Sequence, residues 1–95
     1  MRLDKFLKIT RVIKRRTVAK ELADNGNISV NGEEKKSSYS VKKGDILDIK
    51  YFNKNIKVRI KELPPENLKK DFIDDYIEIM KKYNIECAFI MPFND

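Results

Sequence analysis

Basic side chains are concentrated at the start of the chain, where the first 20 residues hold eight lysines and arginines and one acid, Asp4. Arginine suits phosphate binding because its planar fork can contact two phosphate oxygens and can also stack on unpaired bases. This basic cluster therefore indicates a polyanion-binding surface, with nucleic acid as the first candidate ligand. The cluster comprises Arg2, Lys5, Lys8, Arg11, Lys14, Arg15, Arg16 and Lys20.

The charge of the whole chain has the same asymmetry. Residues 1–61 contain 17 Lys/Arg and 7 Asp/Glu, a net charge of +10, whereas residues 62–95 contain 4 and 8, a net charge of −4. A basic body of this density is typical of nucleic-acid binders, although a highly charged surface also serves solubility alone. The expected binding residues are Arg2, Lys5, Arg11, Lys14, Arg15, Arg16, Thr17 and Lys20.

Catalytic chemistry finds little support in the residue types. The chain has no histidine, which excludes Ser–His and Cys–His catalysis and any histidine-based metal site. Its single cysteine, Cys87, lies in an apolar stretch and is expected to be structural. An acidic group (Asp71, Asp74, Asp75 and Glu78) lacks a glycine-bearing loop to enclose a cation and is expected to be a solvated face. We therefore expect neither an enzyme nor a bound metal or cofactor.

The chain of 95 residues corresponds to one domain with a short appendage. No run approaches the ~18 consecutive apolar residues of a membrane-spanning helix, and the first residues do not resemble a signal peptide. One cysteine cannot form an internal disulfide, which fits a reducing compartment. The expected location is the cytoplasm, without membrane binding.

Two short helices are predicted to carry the basic cluster. In residues 2–8, Leu3, Phe6 and Leu7 share one face at helical spacing. A basic connection over residues 10–16 leads to Thr17, the predicted N-cap of a second helix that ends at Asn25-Gly26.

Arg2 and Arg16 stand at the starts of these helices, where free N–H groups and the helix dipole favour phosphate. We expect neither arginine to pair internally, because Asp4 is the only nearby acid and six other cations compete for it.

Alternating apolar residues then predict a small antiparallel sheet. Asn31-Gly32 is a strong hairpin signal after the strand that contains Ile28 and Val30, and residues 33–38 would form the returning strand. Two further strands follow, with Leu47, Ile49 and Tyr51 in one and Ile56, Val58 and Ile60 in the other. Phe6 and Tyr51 fall within apolar faces, so recognition of RNA shape and backbone is favoured over base stacking.

The last third of the chain begins at Pro64-Pro65, where the sheet is expected to end because proline has no backbone N–H to donate to a neighbouring strand. Residues 66–83 are predicted to be a helix, and residues 85–93 an apolar tail that either folds back on the sheet or docks a protein partner. The predicted fold is α+β, with two short N-terminal helices packed on a small twisted, antiparallel-rich sheet. Residues 1–63 would be the binding domain, and residues 64–95 the appended helix and tail. The helical stripe comprises Leu68, Phe72, Tyr76, Ile79 and Tyr83.

Four blocks resemble the RNA-binding domain named after ribosomal protein S-four, and they occur in order and at that family's spacing over residues 1–61. In the printed sequence they read MRLDKFL (residues 1–7), KRRTVAK (14–20), GNISVNG (26–32) and VKKGD (41–45). The resemblance implies two short helices on a small twisted sheet, with the helices and the basic turn between them gripping structured RNA.

Among free-standing members of that family, the chain is most similar to the RqcP-type bacterial ribosome-quality-control factors. This resemblance implies a protein that binds a stalled large ribosomal subunit, contacting large-subunit rRNA and the P-site peptidyl-tRNA. It also implies an RqcH-type partner that recruits alanyl-tRNA for untemplated tailing of the stalled chain. We also expect the chain to be a monomer. Arg2 and Arg16 stand at this family's RNA-contacting positions.

Two other interpretations stay open at this point. One is a large-subunit rescue factor of the heat-shock type, although a longer and more basic C-terminal extension would then be expected than residues 62–95 provide. The other is a basic interaction module that binds an acidic protein or an anionic membrane surface. Co-sedimentation with large subunits carrying peptidyl-tRNA, rather than with vesicles, would separate these interpretations.

Overall fold

The computed structural model describes residues 1–84, which form two α-helices and a five-stranded antiparallel sheet. The sheet has the strand order β2-β1-β3-β4-β5. The predicted α+β class with two N-terminal helices is confirmed. No helix in this part of the chain is both long and apolar enough to cross a membrane. The elements are α1 (Leu3–Ile9), α2 (Arg16–Asp24), β1 (Ile28–Val30), β2 (Glu33–Glu34), β3 (Ile46–Tyr51), β4 (Lys54–Ile60), a 3₁₀ helix (Lys70–Asp75) and β5 (Ile77–Asn84).

Both helices bury the faces that their sequences predict, but α2 begins earlier than expected. The prediction of Thr17 as its N-cap is wrong, because Thr17 is the second helical residue and is exposed. Arg15 holds the N-cap position with an extended backbone and no side-chain capping bond. Ile13, two residues before Arg15, is buried in the core and anchors this part of the chain. The helix then starts with Arg15 at the N-cap and Arg16 as its first helical residue.

The first hairpin, between β1 and β2, forms where its turn residues predict it. Asn31 and Gly32 both have positive φ, 54° and 89°, as a tight two-residue hairpin loop requires. The returning strand is shorter than predicted, however, and ends at Glu34. The following residues instead hold the N-terminus: the Tyr39 carbonyl accepts the Leu3 N–H at 2.7 Å, and the Val41 N–H donates to the Met1 carbonyl at 2.9 Å.

The hydrophobic core lies between the helices and one face of the sheet. Strands β3 and β4 bury alternate residues, as their period-2 pattern predicts, and α1 contributes three fully buried side chains to the same core. This packing fixes the orientation of the first turn of α1, which carries Asp4. The core contains Leu3, Phe6, Leu7, Ile13, Ala19, Ala23, Ile28, Val30, Val41, Leu47, Ile49, Ile56, Val58, Ile60 and Ile77.

The predicted helix over residues 66–83 is wrong. A short 3₁₀ helix ends at Asp75, and β5 then pairs antiparallel with β4, placing Ile77 opposite Ile60 and Ile79 opposite Val58. The apolar residues of this segment fit the spacing of a helix and also the alternation of a strand, since Ile77 and Ile79 alternate with Glu78 and Met80. Pairing with the open edge of β4 satisfies backbone groups that a helix would leave unpaired there. Cys87 and the predicted tail over residues 85–93 lie outside the described residues.

Alanine substitutions at Ile77 and Ile79 test this strand. Ile77 is 5% exposed in the core and Ile79 is 48% exposed. We expect Ile77→Ala to lower the free energy of unfolding by about 2–3 kcal/mol and Ile79→Ala by less than about 1 kcal/mol. Urea denaturation measures both values. The predicted helix would reverse the order, because its apolar stripe includes Ile79 and omits Ile77.

Candidate nucleic-acid interface

A buried carboxylate organises the centre of the basic cluster. The Asp4 side chain is 3% exposed and lies in the first turn of α1. Its Oδ1 accepts hydrogen bonds from the Lys5 backbone N–H at 2.8 Å and from Arg2 Nε at 3.2 Å. Arg16 approaches from α2, with Nη2 3.4 Å from Oδ1 and Nε 3.4 Å from Oδ2. One acid therefore ties together the starts of both helices.

The ionised form of Asp4 is favoured by these donors. Burial alone would raise its pKa, but the hydrogen bonds from Arg2, Arg16 and the Lys5 N–H outweigh burial and hold the pKa below its ordinary value. Asp4 is thus a carboxylate at neutral pH, and the group of Asp4, Arg2 and Arg16 carries a net charge of +1.

The expectation that Arg2 and Arg16 do not pair internally is wrong. Both bind Asp4, because packing of α1 against α2 brings the first turns of the two helices together. Each arginine side chain is still 47% exposed. Since each guanidinium has five N–H donors, each keeps donors for an external anion. The structure therefore holds two arginine forks side by side in fixed positions.

The N-terminus of α2 adds backbone donors beside Arg16. Arg15 provides no side-chain capping bond, so the first N–H groups of this nine-residue helix are available to an anion. The helix dipole favours negative charge at the same place. Arginine forks and helix N–H groups together can bind the phosphates of a nucleic-acid backbone.

Lys14 and Arg15 lie in the connection just before α2, and both are exposed. Among the side chains described for residues 1–80, neither has an ion-pair or hydrogen-bond partner, so binding of phosphate there displaces no partner among them. Their role in binding RNA stays a prediction.

The other predicted binding residues are more engaged with the protein itself. Lys5 pairs with Glu66, and Arg11 donates to the carbonyls of Ile9 and Leu68. Lys20 binds Asp24 at 3.0 Å, one turn along α2, and Thr17 is exposed beside Arg16. Lys5 and Arg11 thus link the helices to the segment that follows β4. An RNA phosphate would have to compete with those internal acceptors.

Lys14 provides a direct measure of the electrostatic contribution. If phosphate contacts supply the affinity, the logarithm of the binding constant for RNA falls linearly with the logarithm of the salt concentration. Lys14→Ala is expected to flatten that slope by about one contact without changing which RNA is preferred. Titrations at several salt concentrations measure the slope. A wild-type affinity that does not change with salt would contradict the electrostatic interpretation.

The structure also contains a groove beside the basic connection that the sequence did not predict. The groove has a volume of about 450 Å³ and lies between that connection and the β3–β4 hairpin. Tyr51, predicted to lie within an apolar face, belongs to the lining of the groove, and Phe52, at the hairpin tip, is 86% exposed. The positive φ of Phe52 could not be read from its residue type. The lining residues are Arg11, Val12, Lys14, Arg15, Val18, Tyr51, Lys54 and Ile56.

No metal site accompanies these features in the described part of the chain, where no group of three acidic or cysteine side chains is placed to hold an ion. The acidic residues singled out in the sequence lie on two elements, with Asp71, Asp74 and Asp75 in the 3₁₀ helix and Glu78 in β5. Glu78 pairs with Arg59 across the β4–β5 ladder at 2.6 Å.

Comparison of folds and sequences relates this arrangement to known proteins. Residues 1–47 match the S4 domain. Heat Shock Protein 15 of Vibrio cholerae has a similar structure, with a TM-score of 0.76 and 22% sequence identity over 84% of this chain and 81% of that one. At this identity the similarity shows a common fold.

Sequence similarity is higher to two bacterial proteins that carry the same name. The RQC P-site tRNA stabilizing factor of Bacillus subtilis (strain 168) is 49% identical over 76 residues, covering 80% of this chain and 88% of that protein. The protein of that name from Streptococcus pneumoniae (strain ATCC BAA-255 / R6) is 46% identical over 86 residues, covering 90% and 97%. The resemblance found in the sequence is confirmed, and this chain belongs to the family of RQC P-site tRNA stabilizing factors.

Proposed function

We propose that this protein acts in bacterial ribosome-associated quality control by binding a large ribosomal subunit that is obstructed by peptidyl-tRNA. It contacts large-subunit rRNA and the P-site tRNA and holds that tRNA in place. The action is binding alone, without a catalytic step or a cofactor, and the protein works as a monomer in the cytoplasm.

The observation that carries this proposal is the pair of arginine forks fixed by Asp4. Arg2 and Arg16 start different helices, yet one buried carboxylate holds both at 3.2–3.5 Å while each arginine side chain stays 47% exposed. Such preorganisation suits folded RNA, in which phosphates occupy fixed positions, because the side chains lose little further freedom on binding. The names of relatives at 46–49% identity support P-site tRNA as one of the RNAs bound.

The proposal extends to the reaction that follows. With the peptidyl-tRNA held in the P site, an RqcH-type partner brings alanyl-tRNA and the stalled chain is extended with alanine without a template. The protein holds the tRNA in position, and the ribosome catalyses peptide-bond formation. Arg2, Arg16, Lys14 and Arg15 make the principal phosphate contacts, because these residues are exposed.

Co-sedimentation tests the proposed function. The purified full chain is mixed with large subunits carrying peptidyl-tRNA, with vacant large subunits, and with vesicles of anionic lipid. We expect the strongest binding to the obstructed subunits, since only they present rRNA and P-site tRNA together. Equal binding to obstructed and vacant subunits would contradict the role of the tRNA. Preferential binding to vesicles would favour a basic surface module instead.

A further inference from the structure

The tip of the β3–β4 hairpin presents an aromatic pair to solvent. Phe52 is the first residue of the two-residue loop between Tyr51 and Lys54. Its ring stacks on that of Tyr51, with centroids 4.6 Å apart and planes inclined by 27°. Because Phe52 is 86% exposed, the pair leaves a large aromatic surface that the side chains described for residues 1–80 do not cover.

Folding does not explain a phenylalanine at this position. Its φ is +56°, a left-handed conformation that glycine adopts readily at the first position of such loops and that a bulky side chain adopts at a cost. An exposed ring also contributes little buried apolar area in return. Residues with a strained backbone cluster at binding and catalytic sites, so a strained residue with an exposed side chain indicates a role in binding.

The groove beside the pair has the charge that such a ligand would need. Tyr51 belongs both to the aromatic pair and to the groove lining, so the two features are continuous. The groove is lined by four cations and by no acid among the described residues, and its volume is in the range of sites for single small molecules. The cations are Arg11, Lys14, Arg15 and Lys54.

We propose that this surface, the hairpin groove, binds one unpaired nucleotide of the RNA. Its base stacks on the Phe52–Tyr51 pair, and its phosphate lies in the groove against Lys14, Arg15 and Lys54. A nucleotide combines a flat aromatic ring with an adjacent anion, which matches the two halves of this surface better than an acidic peptide does. The inference rests on the proposed function for its RNA, and it adds recognition of a single-stranded residue to recognition of phosphates.

A fluorescent base tests this inference on the full chain. The probe is a single-stranded RNA of about ten nucleotides with 2-aminopurine at its centre, whose emission is quenched when the base stacks on an aromatic ring. We expect wild-type protein to quench it. Phe52→Gly is expected to weaken binding about tenfold and to abolish the quenching, whereas Phe52→Trp retains both. Glycine also relieves the positive φ, so this variant is expected to melt no lower than wild type.

Phe72→Ala is the matched control, because Phe72 is also exposed, at 53%, but lies on the 3₁₀ helix. It is expected to leave binding and quenching unchanged. Equal effects of Phe52→Gly and Phe72→Ala, or unchanged quenching by Phe52→Gly, would overturn the inference. It would also be overturned if Phe52→Gly weakened binding of an acidic peptide and left RNA binding intact. Co-sedimentation of wild-type protein with obstructed subunits, measured in parallel, shows whether the proposed function itself has failed.

Discussion

Replacing Asp4 by asparagine is expected to lower the free energy of unfolding by about 2 kcal/mol. The substitution removes the negative charge that binds two guanidinium groups across the α1–α2 contact. Asparagine can still accept the Lys5 N–H through its amide oxygen, which preserves one of the bonds. Because Arg2 and Arg16 are half exposed, water solvates them after the change, and the cost stays below that of breaking a fully buried pair. Thermal or urea unfolding at neutral pH measures it.

The same substitution has a pH signature. The pKa of Asp4 is lower in the folded protein than its ordinary value of 3.8, so its contribution to stability is complete above that value. The contribution is lost as pH falls through the folded-state pKa. The difference in stability between wild type and Asp4→Asn should therefore be constant from about pH 5 to 7 and shrink below about pH 4.

Glu21→Gln is the matched control, because it makes the same change of charge on the exposed face of α2, where Glu21 forms no ion pair with any described residue. It is expected to change stability by less than about 0.5 kcal/mol. Equal stability losses in Asp4→Asn and Glu21→Gln would show that the Asp4 contacts contribute nothing specific.

The two helices and strands β1, β3 and β4 could be predicted because local signals and burial agree there. The Asn31-Gly32 loop forces a hairpin, and the alternation in β3 and β4 places the same residues in the core that periodicity selects. Gly26, with φ +82°, ends α2 where glycine is expected to end a helix. In these elements the apolar periodicity agrees with the burial that the tertiary structure produces.

The region after β4 could not be predicted in the same way, because its local signals conflict. Spacing from Leu68 to Ile79 fits a helix, while Ile77 and Ile79 also fit a strand. The choice depends on an edge of the sheet formed by residues about 20 positions earlier, which pairs Ile77 with Ile60. Periodicity within one window contains no information about that edge.

The candidate interface illustrates the same limit for side chains. Lys14 and Arg15 are exposed, as a binding role requires. The pairing of Arg16 with Asp4 spans 12 residues and depends on how α1 packs against α2, so counting competing cations along the sequence gave the wrong answer. Exposure of Phe52 similarly follows from the hairpin register, which places it in the loop after Tyr51.

Alanine substitutions of Arg2 and Arg16 are expected to have the largest effects on RNA binding. Each should weaken association with large subunits carrying peptidyl-tRNA by about ten- to a hundredfold, since a charge-assisted phosphate contact is worth ~1.5–3 kcal/mol. The stability cost of either single change is expected to be about 1 kcal/mol or less, because Asp4 keeps the other arginine. Lysine should restore only part of the binding, because it keeps the charge but lacks the fork.

The double variant separates binding from folding. With both arginines removed, Asp4 keeps only the Lys5 N–H, so the loss of stability should exceed the sum of the single losses. That excess measures the energetic coupling between the two arginines through their shared carboxylate.

Lys43→Ala is the charge-matched control, since Lys43 lies outside the basic cluster and pairs with Glu62. This variant should bind nearly as wild type does. Co-sedimentation and thermal melting are measured on the same preparations. Folded single variants that bind like wild type would place the RNA on another face of the protein, whereas weak binding by Arg2→Ala and Arg16→Ala at near-native melting temperatures would identify the Asp4-centred pair as its contact.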